Sequence, residues 1–234
     1  MGKGIFITGT DTGAGKTWFT VMLMSALKCA GYSVAGMKPV ASGATQIKGH
    51  LVNDDAALIQ KHCSNDIDYE TVNPVVFAPP AAPHIVAEDS SQQIDFERIL
   101  NAYNKLIKAN DIVIVEGVGG WRVPLSKNSS TVDLVKELNI PVILVVGIKL
   151  GCINHAILTA EALKSDGVKL CAWASSQLEK DYLFLDQTYQ ELEEKIHAPK
   201  IAETPYSKAF APDALINKLD FKLISNCLPE KEIA

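Results

Sequence analysis

The segment Gly9–Thr17, with the sequence Gly-Thr-Asp-Thr-Gly-Ala-Gly-Lys-Thr, contains the residues whose types and spacing most clearly suit chemistry. It is close to the phosphate-binding pattern GxxxxGK[ST], but it has five residues instead of four between the first glycine and Gly-Lys-Thr. Glycines let backbone N–H groups curve around an anion, and the helix that follows presents its positive end to that anion. We therefore predict a phosphate site in which Lys16 neutralises the β- and γ-phosphates and the Thr17 hydroxyl ligates Mg²⁺.

Two carboxylates are candidates to complete a metal site beside this loop. Glu116 directly follows a buried Ile/Val run, where a P-loop protein carries its second metal-binding acid, and the backbone of Gly117–Gly120 can approach a ligand closely. Asp55 begins a predicted helix after the second strand. Because an acid at that position also suits a helix cap, the residues alone leave Asp55 open between a cap and a metal ligand.

The elements that must position these residues alternate between strand and helix. Strands are predicted at Gly4–Thr8, Ser33–Met37 and Val168–Ala174, and nearly continuous Ile/Val/Leu runs predict buried parallel strands at Asp111–Val115 and Pro141–Val146. Helical spacing predicts helices at Lys16–Ala30, Asp54–His62, Phe96–Ile107, Thr131–Leu138, Ile153–Ser165 and Asp181–Ile196, and the four prolines of Asn73–Pro83 predict a loop. The alternation predicts an α/β fold of the P-loop NTPase type, with a mostly parallel sheet and helices on both faces, as one domain over residues 1–234. Ligands of such sheets bind beyond the carboxyl ends of the strands, here after Thr8, Met37, Val115, Val146 and Ala174.

The composition excludes several classes of protein. The chain has 234 residues, 47% of them apolar, and its net charge of −5 argues against a nucleic-acid partner. The most apolar run, Ile140–Ile148, is half as long as a membrane span, and Gly4–Thr8 resembles a strand more than a signal peptide. Five cysteines without CxxC spacing argue against a disulfide framework and a zinc site. We expect a cytoplasmic protein that does not bind membranes.

Several segments together resemble the dethiobiotin synthetase family. They are Gly9–Thr17, Lys38-Pro-Val-Ala-Ser-Gly43, Thr71-Val-Asn-Pro74, Ala82-Pro-His84, Val115-Glu-Gly-Val-Gly-Gly-Trp121 and Val145-Val-Gly-Ile-Lys-Leu-Gly-Cys-Ile-Asn-His155. The resemblance covers the chain from residue 4 to about residue 174, and the extra residue in the phosphate loop is itself a trait of the family.

The resemblance implies a reaction of biotin synthesis that uses ATP and Mg²⁺. The substrates would be 7,8-diaminononanoate and CO₂, which form a carbamate. Phosphorylation would convert the carbamate to a carbamic–phosphoric anhydride, and ring closure would give dethiobiotin, ADP and phosphate. Lys38, Lys16 and Thr12 would be the catalytic residues, with the two lysines screening the negative charges that meet during phosphoryl transfer.

The resemblance also implies the binding residues. The nucleotide would contact Gly13, Ala14, Gly15, Lys16, Thr17, Asp55, Glu116, Gly117, Val118, Gly119, Ser176, Gln177, Pro205, Tyr206 and Ser207. The metal ligands would be Thr17, Asp55 and Glu116. The diamine would contact Thr12, Lys38, Ser42, Val118, Gly119 and Asn154. Asn154 would reach the carboxylate of the substrate in the partner subunit, which requires a homodimer. For His84 and His155 we expect structural roles.

The chain departs from the family pattern where the nucleotide base would be recognised. Some members place an Asn after the strand that corresponds to Val168–Ala174, but the aligned residue here is Ser176. An Asn amide offers a donor and an acceptor to adenine, whereas a Ser hydroxyl is shorter and donates one bond. We therefore predict weak selectivity for the base, unless Gln177 replaces the missing contact.

Three other functions are alternatives to this one. A P-loop switch is suggested by Asn217-Lys-Leu-Asp220, which matches the guanine-reading pattern NKxD, but this match lies in a predicted amphipathic helix, Pro212–Leu219, and does not follow a strand. A related ATP-dependent amide ligase would usually carry a glutaminase domain, for which this chain has no room. A non-catalytic binding module would not need the set of lysines and carboxylates.

Overall fold

Parallel strands form the central sheet in the computed structural model of the chain, which describes residues 2–209, 211, 216–225 and 227. The strands are β1 Lys3–Gly9, β2 Val34–Met37, β3 Val40–Ser42, β4 Thr45–Ile47, β5 His50–Val52, β6 Val75–Phe77, β7 Ile112–Glu116, β8 Val142–Ile148, β9 Leu170–Gln177 and β10 Lys200–Thr204. Six of them pair in parallel in the order β10-β9-β8-β1-β7-β2. The carboxyl ends of these six strands therefore meet at one edge.

Helices connect most of the strands. They are α1 Lys16–Cys29, α2 Asp54–Lys61, α3 Tyr69–Val72, α4 Pro83–Asp89, α5 Phe96–Ala109, α6 Thr131–Leu138, α7 Cys152–Ser165, α8 Leu185–Lys195 and α9 Phe221–Ser225. Local residues define several helix starts: Asn53 accepts the Ala56 N–H at the start of α2, and Ser130 and Asp133 form a capping box at α6. None of the helices in the described residues is both long and apolar enough to cross a bilayer.

Helices cover both faces of the sheet. Ile5 and Ile7 of β1 pack with residues of α1 and α2, whereas Phe6 between them packs with α5 and α6 on the opposite face. This alternation follows from the twofold periodicity of side chains along a strand. The fully buried Trp173 of β9 packs with α7 and α8. The prediction of a P-loop NTPase-type α/β fold with helices on both faces is confirmed.

The segment Asn73–Pro83 is more regular than its prolines suggest. Val75–Phe77 form β6, which pairs in parallel with β3, and Pro83 is the first residue of α4. A proline is tolerated there because the first residues of a helix have no partner for their N–H groups. The prediction of a loop throughout this segment was therefore wrong. This segment begins beside Lys38, because the Asn73 side chain donates to the Lys38 carbonyl oxygen over 2.6 Å.

Two predicted helices differ from the structure. The helix predicted at Asp181–Ile196 begins only at Leu185, because Phe184 adopts a left-handed φ of 57°. Of the helix predicted at Pro212–Leu219, residues 212–215 lie outside the described residues. Residues 216–218 form a short 3-10 turn, and Leu219 pairs with Ala202 of β10.

Candidate functional site

A cleft of about 800 Å³ opens at the carboxyl edge of the sheet. Its walls come from the segments after β1, β2, β7, β9 and β10. The end of β8 contacts the phosphate loop, since the Gly147 N–H donates to Thr10 Oγ1 over 3.3 Å. A Cβ at Gly147 would lie 3.0 Å from the α-carbon of Ala14, so this close approach requires glycine.

The structure brings most of the predicted site residues together in this cleft. Those that line it are Thr12, Gly13, Gly15, Lys16, Thr17, Lys38, Ser42, Asp55, Val118, Gly119, Ser176, Gln177, Pro205, Tyr206 and Ser207. Ala14 and Glu116 are buried beneath it, and Gly117 packs against the Phe6 ring. Asn154 lies apart, on the exposed side of α7.

An ion pair lies at the outer edge of the phosphate loop. The Asp11 carboxylate accepts the Thr12 N–H over 2.8 Å and an Nζ–H of Lys149 over 2.9 Å. The hydrogen bond from Lys149 lowers the pKa of Asp11, which favours the charged form of this carboxylate. No pattern in the sequence indicates this pair, because Lys149 follows β8 and lies 138 residues from Asp11.

Lys16 connects the phosphate loop to the loop after β7. Its Nζ donates to the carbonyl oxygens of Asp11 (3.0 Å) and Gly119 (2.6 Å), and the residue is buried. Burial, together with the positive charge of Lys38, lowers the pKa of Lys16 to about 8. A phosphate placed beside Lys16 would favour its charged form, which suits an anion-binding site.

Lys38 lies between two carboxylates at the edge of the cleft. Its Nζ is 2.6 Å from Glu116 Oε1 and 3.1 Å from Asp55 Oδ2, and Lys38 and Glu116 are both buried. Burial disfavours the charge on Lys38, but the two carboxylates prevail and raise its pKa. Burial also opposes the charge on Asp55, but Lys38 lowers the pKa of this group. The two carboxylates therefore hold the charged ammonium group of Lys38 at the edge of the cleft.

Three oxygen-bearing side chains beside Lys38 fit a magnesium ion. The Thr17 hydroxyl donates to Glu116 Oε1 over 2.9 Å, and Asp55 lies close enough to share Lys38 with Glu116. Glu116 Oε2 is buried and has no hydrogen-bond partner among the described residues. Mg²⁺ prefers such oxygen ligands and keeps several waters, so two carboxylates and a hydroxyl are sufficient. In the described residues, no group of three or more His, Cys, Asp or Glu side chains is placed to hold a metal ion, so the two carboxylates here would need the Thr17 hydroxyl and waters as further ligands.

The opposite wall of the cleft contains the residues predicted to contact the base. Ser176 is buried at the end of β9, and its hydroxyl lies so close to the α-carbon of Gly15 that a Cβ there would collide with it. The Gln177 amide donates to the carbonyl oxygens of Glu179 (2.9 Å) and Lys180 (3.3 Å). Gln177 is therefore bonded to its own loop, and its amide is not directed at a base.

Several residues that line the cleft were missed from the sequence. They are Trp18, Asn53, Pro80, Ala81, Ala82, Pro83, Val123, Leu178 and Thr204. Asn53 had a usable signal, because an Asn directly before two acidic residues is a typical helix N-cap. Thr204 belongs to β10, which no prediction covered, and the others lie in loops or on a helix face without a distinctive pattern.

The comparisons with known proteins agree with this geometry. Residues 3–214 match a family model described as an AAA domain. The ATP-dependent dethiobiotin synthetase BioD of Cellvibrio japonicus is 39% identical over 93% of this chain and 96% of its own length. The BioD protein of Aromatoleum aromaticum is 43% identical over 86% of this chain and 89% of its own.

A solved structure supports the fold alone. The MinC:MinD cell division protein complex of Aquifex aeolicus matches 96% of this chain and 93% of its own with a TM-score of 0.55 at 13% identity. The sequence relatives go further, since they are similar over nearly their whole length, and the phosphate loop, the two lysines and Asp55 line one cleft with Glu116 buried beneath it. The chain belongs to the ATP-dependent dethiobiotin synthetase family.

Proposed function

We propose that the chain converts 7,8-diaminononanoate, CO₂ and ATP to dethiobiotin, ADP and phosphate. As a member of its family it is an ATP-dependent ligase that forms C–N bonds. The observation that carries the finer proposal is the buried Lys38 ammonium, which lies at the edge of the cleft that the phosphate loop also lines. A reaction between a phosphate and an anionic carbamate needs such a fixed cation.

The proposed chemistry has three steps. One amine of the substrate adds to CO₂ and loses a proton, which gives a carbamate. A carbamate oxygen attacks the γ-phosphorus of ATP, forming a carbamic–phosphoric anhydride and releasing ADP. The second amine attacks the carbonyl carbon, the C–O bond to phosphate breaks, and the cyclic urea forms.

The residues of the cleft suit different steps of this reaction. Lys16 screens the β- and γ-phosphates, and Lys38 screens the carbamate as the two anions approach. Thr12 and Ser42 offer hydroxyl groups to the substrate beside Val118 and Gly119. Thr17, Asp55 and Glu116 would hold Mg²⁺, which supplies further positive charge to the phosphates when it is bound. No histidine is required, because solvent or phosphate oxygens accept the protons of the amines.

A phosphate-release assay tests this function. Phosphate is measured with ATP, diaminononanoate and bicarbonate together and with each omitted in turn. We expect release only when all three are present. Release without the diamine would instead favour a nucleotide switch, and release that depends on a different amine or amide donor would favour a related ligase.

We predict weak selectivity for the nucleotide base. With Ser176 beside Gly15 and Gln177 bonded to its own loop, two-point recognition of adenine is lost. Each missing bond costs about 1 kcal/mol, so CTP or GTP should support turnover within roughly 100-fold of ATP in steady-state kinetics. Tyr206 can stack on any base, so it adds affinity for the nucleotide without selectivity between bases.

The control variant is Gln177→Ala, which should leave the ranking of the four nucleotides unchanged. A preference for ATP above roughly 1000-fold would contradict the argument from Ser176. If Gln177→Ala then abolished that preference, Gln177 would be the reader of the base.

We further propose a homodimer in which Asn154 serves the neighbouring active site. Asn154 is exposed and lies outside the cleft of its own chain, so a substrate contact requires a second copy. Leu158, one turn along α7, is 55% exposed, and Leu150 just before the helix is 90% exposed. A twofold interface would cover both leucines and would complete two sites with one contact.

The variant Asn154→Ala should raise the KM of the diamine about tenfold, because a charge-assisted hydrogen bond is lost, and leave ATP binding unchanged. Lys164→Ala, at the far end of α7, is the matched control. Light scattering should show a dimer for both variants. An active wild-type monomer at assay concentration would contradict the shared site.

A further inference from the structure

The segment Thr71–Pro74, one of those that resemble the family, lies outside the cleft, yet one of its side chains contacts Lys38. Asn73 is 2% exposed, and its Nδ2 donates to the Lys38 carbonyl oxygen over 2.6 Å and to that of Val75 over 3.2 Å. The Lys38 N–H donates to the Val72 carbonyl oxygen. The backbone of Lys38 is therefore fixed on both sides by one short segment.

Asn73 is itself fixed by a chain of hydrogen bonds. The Tyr69 hydroxyl donates to Asn73 Oδ1 over 2.9 Å and accepts the N–H of Asn53 over 2.8 Å. The Asn53 side chain donates to the Ser42 carbonyl oxygen over 3.2 Å and accepts the Ala56 N–H at the start of α2. Every donor in the series from Asn53 to Lys38 points the same way, an arrangement in which hydrogen bonds strengthen one another.

This chain of hydrogen bonds reaches three parts of the site. It ends on the backbone of Lys38, it touches the backbone of Ser42, and through Asn53 it sets the start of the helix that carries Asp55. Lys38 and Ser42 belong to one segment, Lys38–Gly43, whereas Asp55 lies in α2, so these hydrogen bonds join two segments that are separate in the sequence. Buried polar groups of this kind are costly unless they are all bonded, so loss of one link disturbs its neighbours.

We infer that Tyr69, Asn73 and Asn53 are positioning residues that hold Lys38, Ser42 and Asp55 in register with the phosphate loop. The inference rests on the proposed role of Lys38 in phosphoryl transfer. Their function is geometric: none of the three needs to touch the reacting atoms, and Asn73 and Tyr69 lie outside the residues that line the cleft.

Two variants break this chain of hydrogen bonds at different positions. Asn73→Asp keeps the acceptor for Tyr69 but removes the donor to Lys38, and Tyr69→Phe removes only a hydroxyl. Tyr103→Phe is the matched control, because its buried hydroxyl lies against Gly4 of β1 and not in the chain of bonds. For each protein we would measure kcat, both KM values, the stoichiometry of binding of a non-hydrolysable ATP analogue, and the melting temperature.

The expected result is a decrease in kcat of about tenfold to hundredfold for Asn73→Asp and Tyr69→Phe, because small displacements of a catalytic group have effects of that size. Analogue binding should remain one per chain with unchanged affinity, and Tyr103→Phe should retain the wild-type kcat. The double variant should lose less than the product of the two single losses, because both changes cut one series of bonds.

Three outcomes would overturn the inference. They are a kcat at the wild-type level in both variants, a loss of activity that only follows a loss of binding-competent protein, or single losses that multiply in the double variant. The proposed function is judged separately, by the wild-type enzyme's requirement for diamine and bicarbonate. If the wild-type protein requires both diamine and bicarbonate and the two variants have the wild-type kcat, only the positioning role is rejected, and the proposed function stands.

Discussion

Replacing Lys38 with alanine is expected to lower the turnover number by about 100-fold to 1000-fold, which is the usual cost of removing one preorganised charge or donor at a reacting group. ATP should still bind, because the phosphate loop and Lys16 are untouched. Lys38 is held 2.6 Å from Glu116 and 3.1 Å from Asp55, so its ammonium is in place before the substrates arrive. Single-turnover phosphate release and analogue binding would measure the two effects separately.

The same variant should also be less stable, since it leaves the buried Glu116 without its main partner. Breaking a buried ion pair by removing one member typically costs about 3–5 kcal/mol of unfolding free energy. The double variant Lys38→Met/Glu116→Gln is the control: it removes both charges and should recover most of the stability measured by denaturant unfolding while staying inactive. Near-wild-type turnover in Lys38→Ala would reject the assigned role.

The parts of the site that follow one another in the chain could be predicted from the sequence. Gly9–Thr17 contains its own glycines, lysine and helix start, and Glu116 is identified by the buried strand before it. Both predictions rest on local rules, a turn that only glycine permits and a carboxylate at a strand end. Two of the predicted strands of the central sheet, Asp111–Val115 and Pro141–Val146, likewise needed only nearly continuous Ile/Val/Leu runs.

The remaining parts depend on contacts between distant segments. Asn73 touches Lys38 across 35 residues, and the prolines around it hide the short strand β6. Lys200–Thr204, which forms the edge strand β10, contains only one β-branched aliphatic residue, so no apolar run marked it. Without an alternation or a buried run, strand formation is decided by pairing with β9, and single-sequence patterns carry no information about such pairing.

Replacing Lys16 with alanine is expected to cause the other large loss, with a different kinetic signature. The Lys16 ammonium is aimed at the phosphate loop and is bonded to Asp11 and Gly119. We expect kcat to fall by about 100-fold or more, because the transferring phosphate loses a fixed cation in a closed site. The dissociation constant of the ATP analogue should rise as well, whereas Lys38→Ala should leave it unchanged.

The control for a general charge effect is Lys149→Ala. Lys149 pairs with Asp11 on the same side of the phosphate loop, but both side chains are partly exposed, and exposed ion pairs contribute about 0–1 kcal/mol. A loss in Lys149→Ala as large as that in Lys16→Ala would mean that net positive charge, and not the position of Lys16, supports catalysis. Near-wild-type turnover in Lys16→Ala would reject its role directly. We expect both lysine variants to lose turnover and only Lys16→Ala to lose affinity for the ATP analogue. In that case Lys16 stabilises both bound ATP and the transition state, whereas Lys38 acts only when the carbamate meets the γ-phosphate.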